Sequence, residues 1–133
     1  MLRRVKLKWI VAAALGLCAG VGVYYFDLLK AAATRNPIPR SAQSISRGRQ
    51  LFHTYCEACH GADARGNGPA VASLPDRPKD LTRIAPPPVF PDGVVAYRIL
   101  NGVKVMPAWK GILSPDDIWD LINFIRSLHR EAG

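Results

Sequence analysis

Between Trp9 and Phe26 the sequence runs for 18 residues without a charge, which returns only at Asp27. At about 1.5 Å per residue such a run makes roughly 27 Å of helix, close to the roughly 30 Å hydrocarbon core of a bilayer. Beyond it the pattern becomes amphipathic. In SISRGRQLFHTYC, Ile45, Gly48, Leu51, Phe52 and Tyr55 recur every three or four residues, which predicts a helix with one apolar face. DGVVAYRILNG predicts a short helix that Asn101-Gly102 ends, since both residue types tolerate the left-handed turn after a helix. Near the C-terminus Ser114 can cap, Pro115 suits the first helical position, and Asp116 and Asp117 sit at the positive end of the dipole. Ile118, Leu121, Ile122, Ile125 and Leu128 then form the apolar face of a last helix. Residues 61–91 show neither period and read as a long irregular loop. Loops of that length are uncommon unless something packs them.

The flanks of the apolar run give it a direction. Arg3, Arg4, Lys6 and Lys8 precede it, which predicts a cytoplasmic N-terminus and residues 27–133 on the far side. Trp9 and Tyr24-Tyr25 stand at its two ends, where amphipathic rings favour the interface. A cleaved leader is the alternative, but its apolar region is usually shorter, and the small-residue site Ala31-Ala32-Ala33 lies beyond Asp27 and Lys30. Leu17 before Cys18 speaks against a lipoprotein. Ala12, Gly16 and Gly20 make one small-residue face, suited to another membrane helix, although leaders are rich in the same residues. Asn36-Pro37-Ile38-Pro39 reads as an extended, semi-stiff connector. The expected organisation is a basic segment over 1–8, a transmembrane anchor over 9–26, a linker over 27–43 and one domain over 44–133.

Charge and composition refine this picture in two ways. The formal net charge is +8, yet residues 1–40 hold seven Lys/Arg against one Asp, and residues 41–133 hold eleven against nine acids. The domain is therefore near neutral, and no nucleic-acid partner is expected. Seven of the eleven prolines fall between Pro69 and Pro91, so the middle of a small domain is poor in regular structure. Such a domain usually needs a staple, a metal or a cofactor.

The candidate is Cys56-Glu57-Ala58-Cys59-His60. Structural zinc needs four ligands, and Cys18, His53 and His129 do not complete a set at the usual spacing. A thioredoxin-type pair needs a strand before the motif, where a helical pattern stands instead. Cys-x-x-Cys-His is the attachment sequence of a c-type haem. Two thiols add across the vinyl groups of one porphyrin edge, and the histidine after them is placed to bind iron. For the second axial position Met106 is the candidate, in GVKVMPAWKG, with Pro107 stiffening the chain after it and Gly102 and Gly111 letting it approach the ring. His129 is a fallback, and His53 lies on the same helix as the motif and cannot reach the other face.

From about residue 41 onward the chain resembles class I monohaem c-type cytochromes of the membrane-anchored bacterial type. The resemblance rests on Gly48 and Phe52 ahead of CEACH, on Leu121 and Phe124 of the last helix crossing them, on Met106-Pro107, and on IWDLINFIRSL. It implies an all-α class I cytochrome c fold: helices packed round one covalently bound haem, with a long irregular loop. It also implies that Pro69, in GNGPA, offers its carbonyl to the second nitrogen of His60, fixing the ring and raising its basicity. Arg77, Lys79 and Arg83 are candidates for the haem propionates or simply a solvated basic loop. Lys104 and Lys110 are candidates for steering an acidic partner or ordinary surface lysines. Trp109 can line the haem edge or simply pack.

With both axial positions filled, iron has no open site for a substrate, and the expected function is electron transfer rather than catalysis. The protein would be an anchored carrier or a cytochrome subunit of a respiratory or photosynthetic redox complex. Its haem domain would face the periplasm from the bacterial inner membrane, and its partners would be redox proteins. A small peroxidase-like haem enzyme and a gas-binding sensor are the rival readings. Both need an open iron site, so both predict that the reduced protein binds carbon monoxide.

Overall fold

The structure is a computed structural model that describes residues 2–131. Among these residues there are helices and 3₁₀ turns but no strand, only two isolated bridges, Val103 with Met106 and Lys110 with Leu113. The chain forms two bodies, Met1–Lys30 and Ala31–Gly133. The first contains most of helix α1 (Leu2–Ala33), whose stretch Leu7–Ala33 is long and apolar enough to cross a membrane.

The second body is built on α2 (Ala42–Tyr55), α3 (Glu57–His60), α4 (Asp92–Asn101) and α5 (Pro115–Glu131). Helix α2 starts where Ser41 accepts from the Ser44 amide at 3.1 Å. At its other end Cys56 leaves ideal helical geometry, and the chain turns into α3 while the Cys56 amide still bonds Phe52 O at 2.8 Å. Helix α4 begins at Asp92 and stops before Gly102, as its sequence predicts. Helix α5 opens on a reciprocal cap: Ser114 Oγ donates to Asp117 at 2.7 Å, and the Asp117 amide donates back to Ser114 Oγ at 3.2 Å.

The core lies where α5 crosses α2. Phe52 of α2 and Ile118, Leu121, Ile122, Phe124 and Ile125 of α5 are all buried, with the Phe52 and Phe124 rings 5.3 Å apart. Gly48 makes the crossing possible, since a Cβ there would fall 2.1 Å from the Asp120 carbonyl oxygen. Helix α5 is buried well beyond its apolar stripe. Asp120, Asn123, Arg126 and Ser127 are inside as well. Ser44 Oγ donates to Asp120, Arg47 Nε donates to it at 2.7 Å, and Asn123 Nδ2 donates to Ser44 Oγ at 2.8 Å and to Ile38 O at 3.1 Å. Asn36 Nδ2 donates to Trp119 O at 3.1 Å and to Asn123 Oδ1 at 3.0 Å, so the connector Asn36–Ile38 is bonded into this body.

The expected irregular loop holds two 3₁₀ turns, Pro69–Ser73 and Leu81–Arg83. What packs its proline-rich end is Arg126, only 7% exposed. Its guanidinium donates to Asp92 at 2.8 Å, to Ala85 O at 2.8 Å and to Phe90 O. Two loop carbonyls and a carboxylate are satisfied by one planar donor fork.

Candidate haem site

Helix α3 presents the Cys-x-x-Cys-His stretch as one turn. The His60 amide donates to Cys56 O at 2.9 Å and the Cys59 amide to the same oxygen at 3.2 Å, which puts both thiols and the imidazole on a single turn of backbone. Cys56 and Cys59 are not joined in a disulfide. Burial pushes the Cys56 thiol up to about 12, with the neighbouring Cys59 adding to the rise. His60 moves the other way. Burial lowers its pKa, and the bond to the Lys79 carbonyl offsets only part of that.

The carbonyl beside His60 corrects the expectation drawn from the resemblance. His60 Nδ1 lies 3.2 Å from Lys79 O, and Pro69 is not its partner. A carbonyl only accepts, so the proton is on Nδ1 and the Nε2 lone pair is left for a metal. The reason lies in the path of the loop. The Gly68 amide bonds back to Cys59 O at 3.2 Å, and the chain then turns away into the 3₁₀ turn that Pro69 begins, with Pro69 exposed. It returns along Pro78-Lys79, where Leu81 N donates to Ala64 O at 2.8 Å.

Met106 lies in the turn between α4 and α5. Its amide donates to Val103 O at 2.9 Å, and the Val103 amide donates to Met106 O at 3.2 Å. The turn is tied back to α4 by bonds from the Trp109 amide to Ile99 O, 3.0 Å, and from the Lys110 amide to Leu100 O, 3.1 Å. Trp109 then meets Tyr55 edge to face, ring centroids 5.3 Å apart. Tyr55 is the residue before Cys56, and Trp109 stands three residues after Met106, so this contact fastens the methionine loop to the cysteine turn. Trp109 therefore packs, whatever else its edge does.

The basic side chains are mostly engaged. Arg77 Nε donates to Gly66 O at 2.9 Å, Lys104 pairs with Asp76 at 2.7 Å, and Arg83 lies 3.5 Å from Asp80. The Lys104 hydrogen bond, followed by its charge, holds the Asp76 carboxyl below the usual range. His129 Nδ1 sits 3.2 Å from Thr82 O, and His53 pairs with Glu57. Among the described residues no group of three or more His, Cys, Asp or Glu is placed to hold a metal ion.

These residues fit a haem. Two unbonded thiols stand on the turn that carries a neutral imidazole. Leu51, Cys56, Leu81, Ile84, Leu100, Met106 and Trp109 pack against the core while staying only half-buried, the kind of apolar surface a porphyrin covers. A helical body of this form, closed round such a turn with a methionine loop pinned beside it, is that of a class I c-type cytochrome. Residues 43–125 match the family described as cytochrome C oxidase, cbb3-type, subunit III, and the chain belongs to that family.

The chain is 30% identical to a cytochrome c6 of Alaria esculenta over 61% of its own length and 87% of that protein. It is also 30% identical to the cbb3-type cytochrome c oxidase subunit FixP of Rhizobium meliloti (strain 1021), over 68% of this chain and 29% of FixP. Among solved structures it resembles the Kuenenia stuttgartiensis reducing HAO-like protein complex Kustc0457/Kustc0458. The TM-score is 0.61 at 26% identity, covering 69% of this chain and 46% of that one. The cofactor is covalently bound haem c, the spacing of Cys56 and Cys59 is consistent with its attachment motif, and the family and these relatives support electron transfer.

Proposed function

We propose that the protein is an anchored electron carrier or cytochrome subunit of an inner-membrane respiratory or photosynthetic complex, with haem iron held by His60 and Met106 and the domain facing the periplasm. The observation that carries the ligation is the Tyr55–Trp109 contact, which fixes the Met106 loop against the turn bearing a Nδ1-protonated His60. When bound, the haem supplies one-electron chemistry, and a thioether ligand favours its reduced form. His60 contributes a neutral, oriented imidazole, Met106 closes the second position against substrate, and the apolar surround keeps water out. The likeness to FixP and the family match support a place beside a terminal oxidase or a comparable complex, and the basic residues before the apolar stretch of α1 support the orientation. Partners would be redox proteins making small, transient contacts.

One preparation tests this. The protein should stay with membranes through an alkaline wash. After mild detergent extraction its oxidised form should show the weak sulfur-to-iron band at the red end of the spectrum, and its reduced form should not bind carbon monoxide. Met106→Ala should lose the band and take up the gas. Ready gas binding by the unmutated protein would favour a haem enzyme or sensor and defeat the proposal.

A further inference from the structure

Arg77 sits one residue before the Pro78-Lys79 turn, and its Nε–H reaches back to Gly66 O at 2.9 Å. Gly66 is buried and touches the site from two sides. Its amide donates to His60 O at 2.7 Å. Its bare α-carbon faces the returning turn so closely that a Cβ would lie 2.2 Å from Pro78 O and 3.4 Å from Lys79 O. Gly66 holds φ +72, a conformation that costs glycine little and other residues more. Backbone, glycine and guanidinium thus close a small ring: His60 to Gly66, Gly66 to Arg77, and Arg77 through Pro78 to Lys79, whose carbonyl returns to His60 at 3.2 Å.

We infer that Arg77 is a positioning residue: by bonding Gly66 it fixes the turn whose Lys79 carbonyl orients the His60 imidazole and keeps its proton on Nδ1. The inference rests on His60 being the iron ligand. It assigns Arg77 a task that depends on an N–H at the Nε position. A propionate partner would depend on charge.

Two substitutions separate donor from charge. Gln places an N–H donor at the same point along the side chain as Arg Nε, without charge. Lys keeps the charge and has a methylene there. The readouts are solvent exchange of the His60 Nδ1 proton, followed by NMR in the reduced haem-bound protein, and the reduction potential. Arg77→Lys and Arg77→Ala should speed exchange roughly five- to tenfold, the effect of releasing about one hydrogen bond. Arg77→Lys should also raise the potential, because a loosened Nδ1–H bond leaves the imidazole a poorer donor to oxidised iron. Arg77→Gln should exchange like the unmutated protein. Lys behaving as unmutated while Gln behaves as Ala would reveal a charge effect and overturn the inference, as would no change in any variant. Absence of a porphyrin-shifted His60 ring signal in the unmutated protein is a different failure: it removes the ligation itself, and the inference with it.

Discussion

Asp120 is a carboxylate with 2% of its surface exposed, set among the apolar residues of α5. Burial pushes its pKa up, but hydrogen bonds from Arg47 and Ser44, and the charge of Arg47, outweigh this and leave it lowered. A folded pKa below the unfolded value, about 3.9, stabilises the native state above that value and is lost as pH falls through the folded pKa. Asp120→Asn should therefore cost about 1.5–3 kcal/mol near neutral pH, and the gap should narrow below about pH 4. Urea titrations at the two pH values measure it, and a gap that stays constant would mean the charge plays no part. At this scale the chemistry was legible where it is local. Cys56, Cys59 and His60 announce themselves by spacing. Residues that act across the chain were not: nothing near Arg126 or Asn36 in sequence marks them as hydrogen-bond hubs, and the His60 carbonyl partner is Lys79 rather than Pro69 because a loop's return path is set by tertiary packing.

The pair α2 and α5 shows what elements add. Backbone meets backbone at Gly48, so Gly48→Ala pushes first against the Asp120 carbonyl and then against Phe124 Cβ. Overpacking of this kind typically costs about 1–3 kcal/mol, and a rigid backbone neighbour favours the upper end. Thermal unfolding of the haem-bound protein should show the loss, and an unchanged midpoint would mean the helices can slide apart freely. Helix periods and caps were readable from the sequence, and α4 and α5 start where their residues say. The start of α2 was less so. The amphipathic pattern begins at Ser44, whereas the helix begins at Ala42 with Ser41 as its cap. The apolar stripe of α5 gave no sign that Asp120, Asn123 and Arg126 are buried as well.

For the whole molecule, the α2–α5 crossing ties residues near the start of the haem domain to residues near its end, Ser44 to Asp120 and Phe52 to Phe124. Residues from Ala31 onward belong to that body, so the connector the sequence suggested is bonded along Asn36–Ile38. The crossing also governs the reactivity of one thiol. Inside the completed domain Cys56 has a pKa near 12, so at about pH 8 only roughly one thiol in ten thousand is ionised and reactive. Helix α5 supplies much of the buried core against which Cys56 packs. Without it the Cys56 sulfur would lie more open, and its thiol would fall back toward the ordinary range. Thiol-form chains ending before Ser114 should accordingly be alkylated at Cys56 far faster than full-length ones. Equal rates would show that α5 does not shield the thiol.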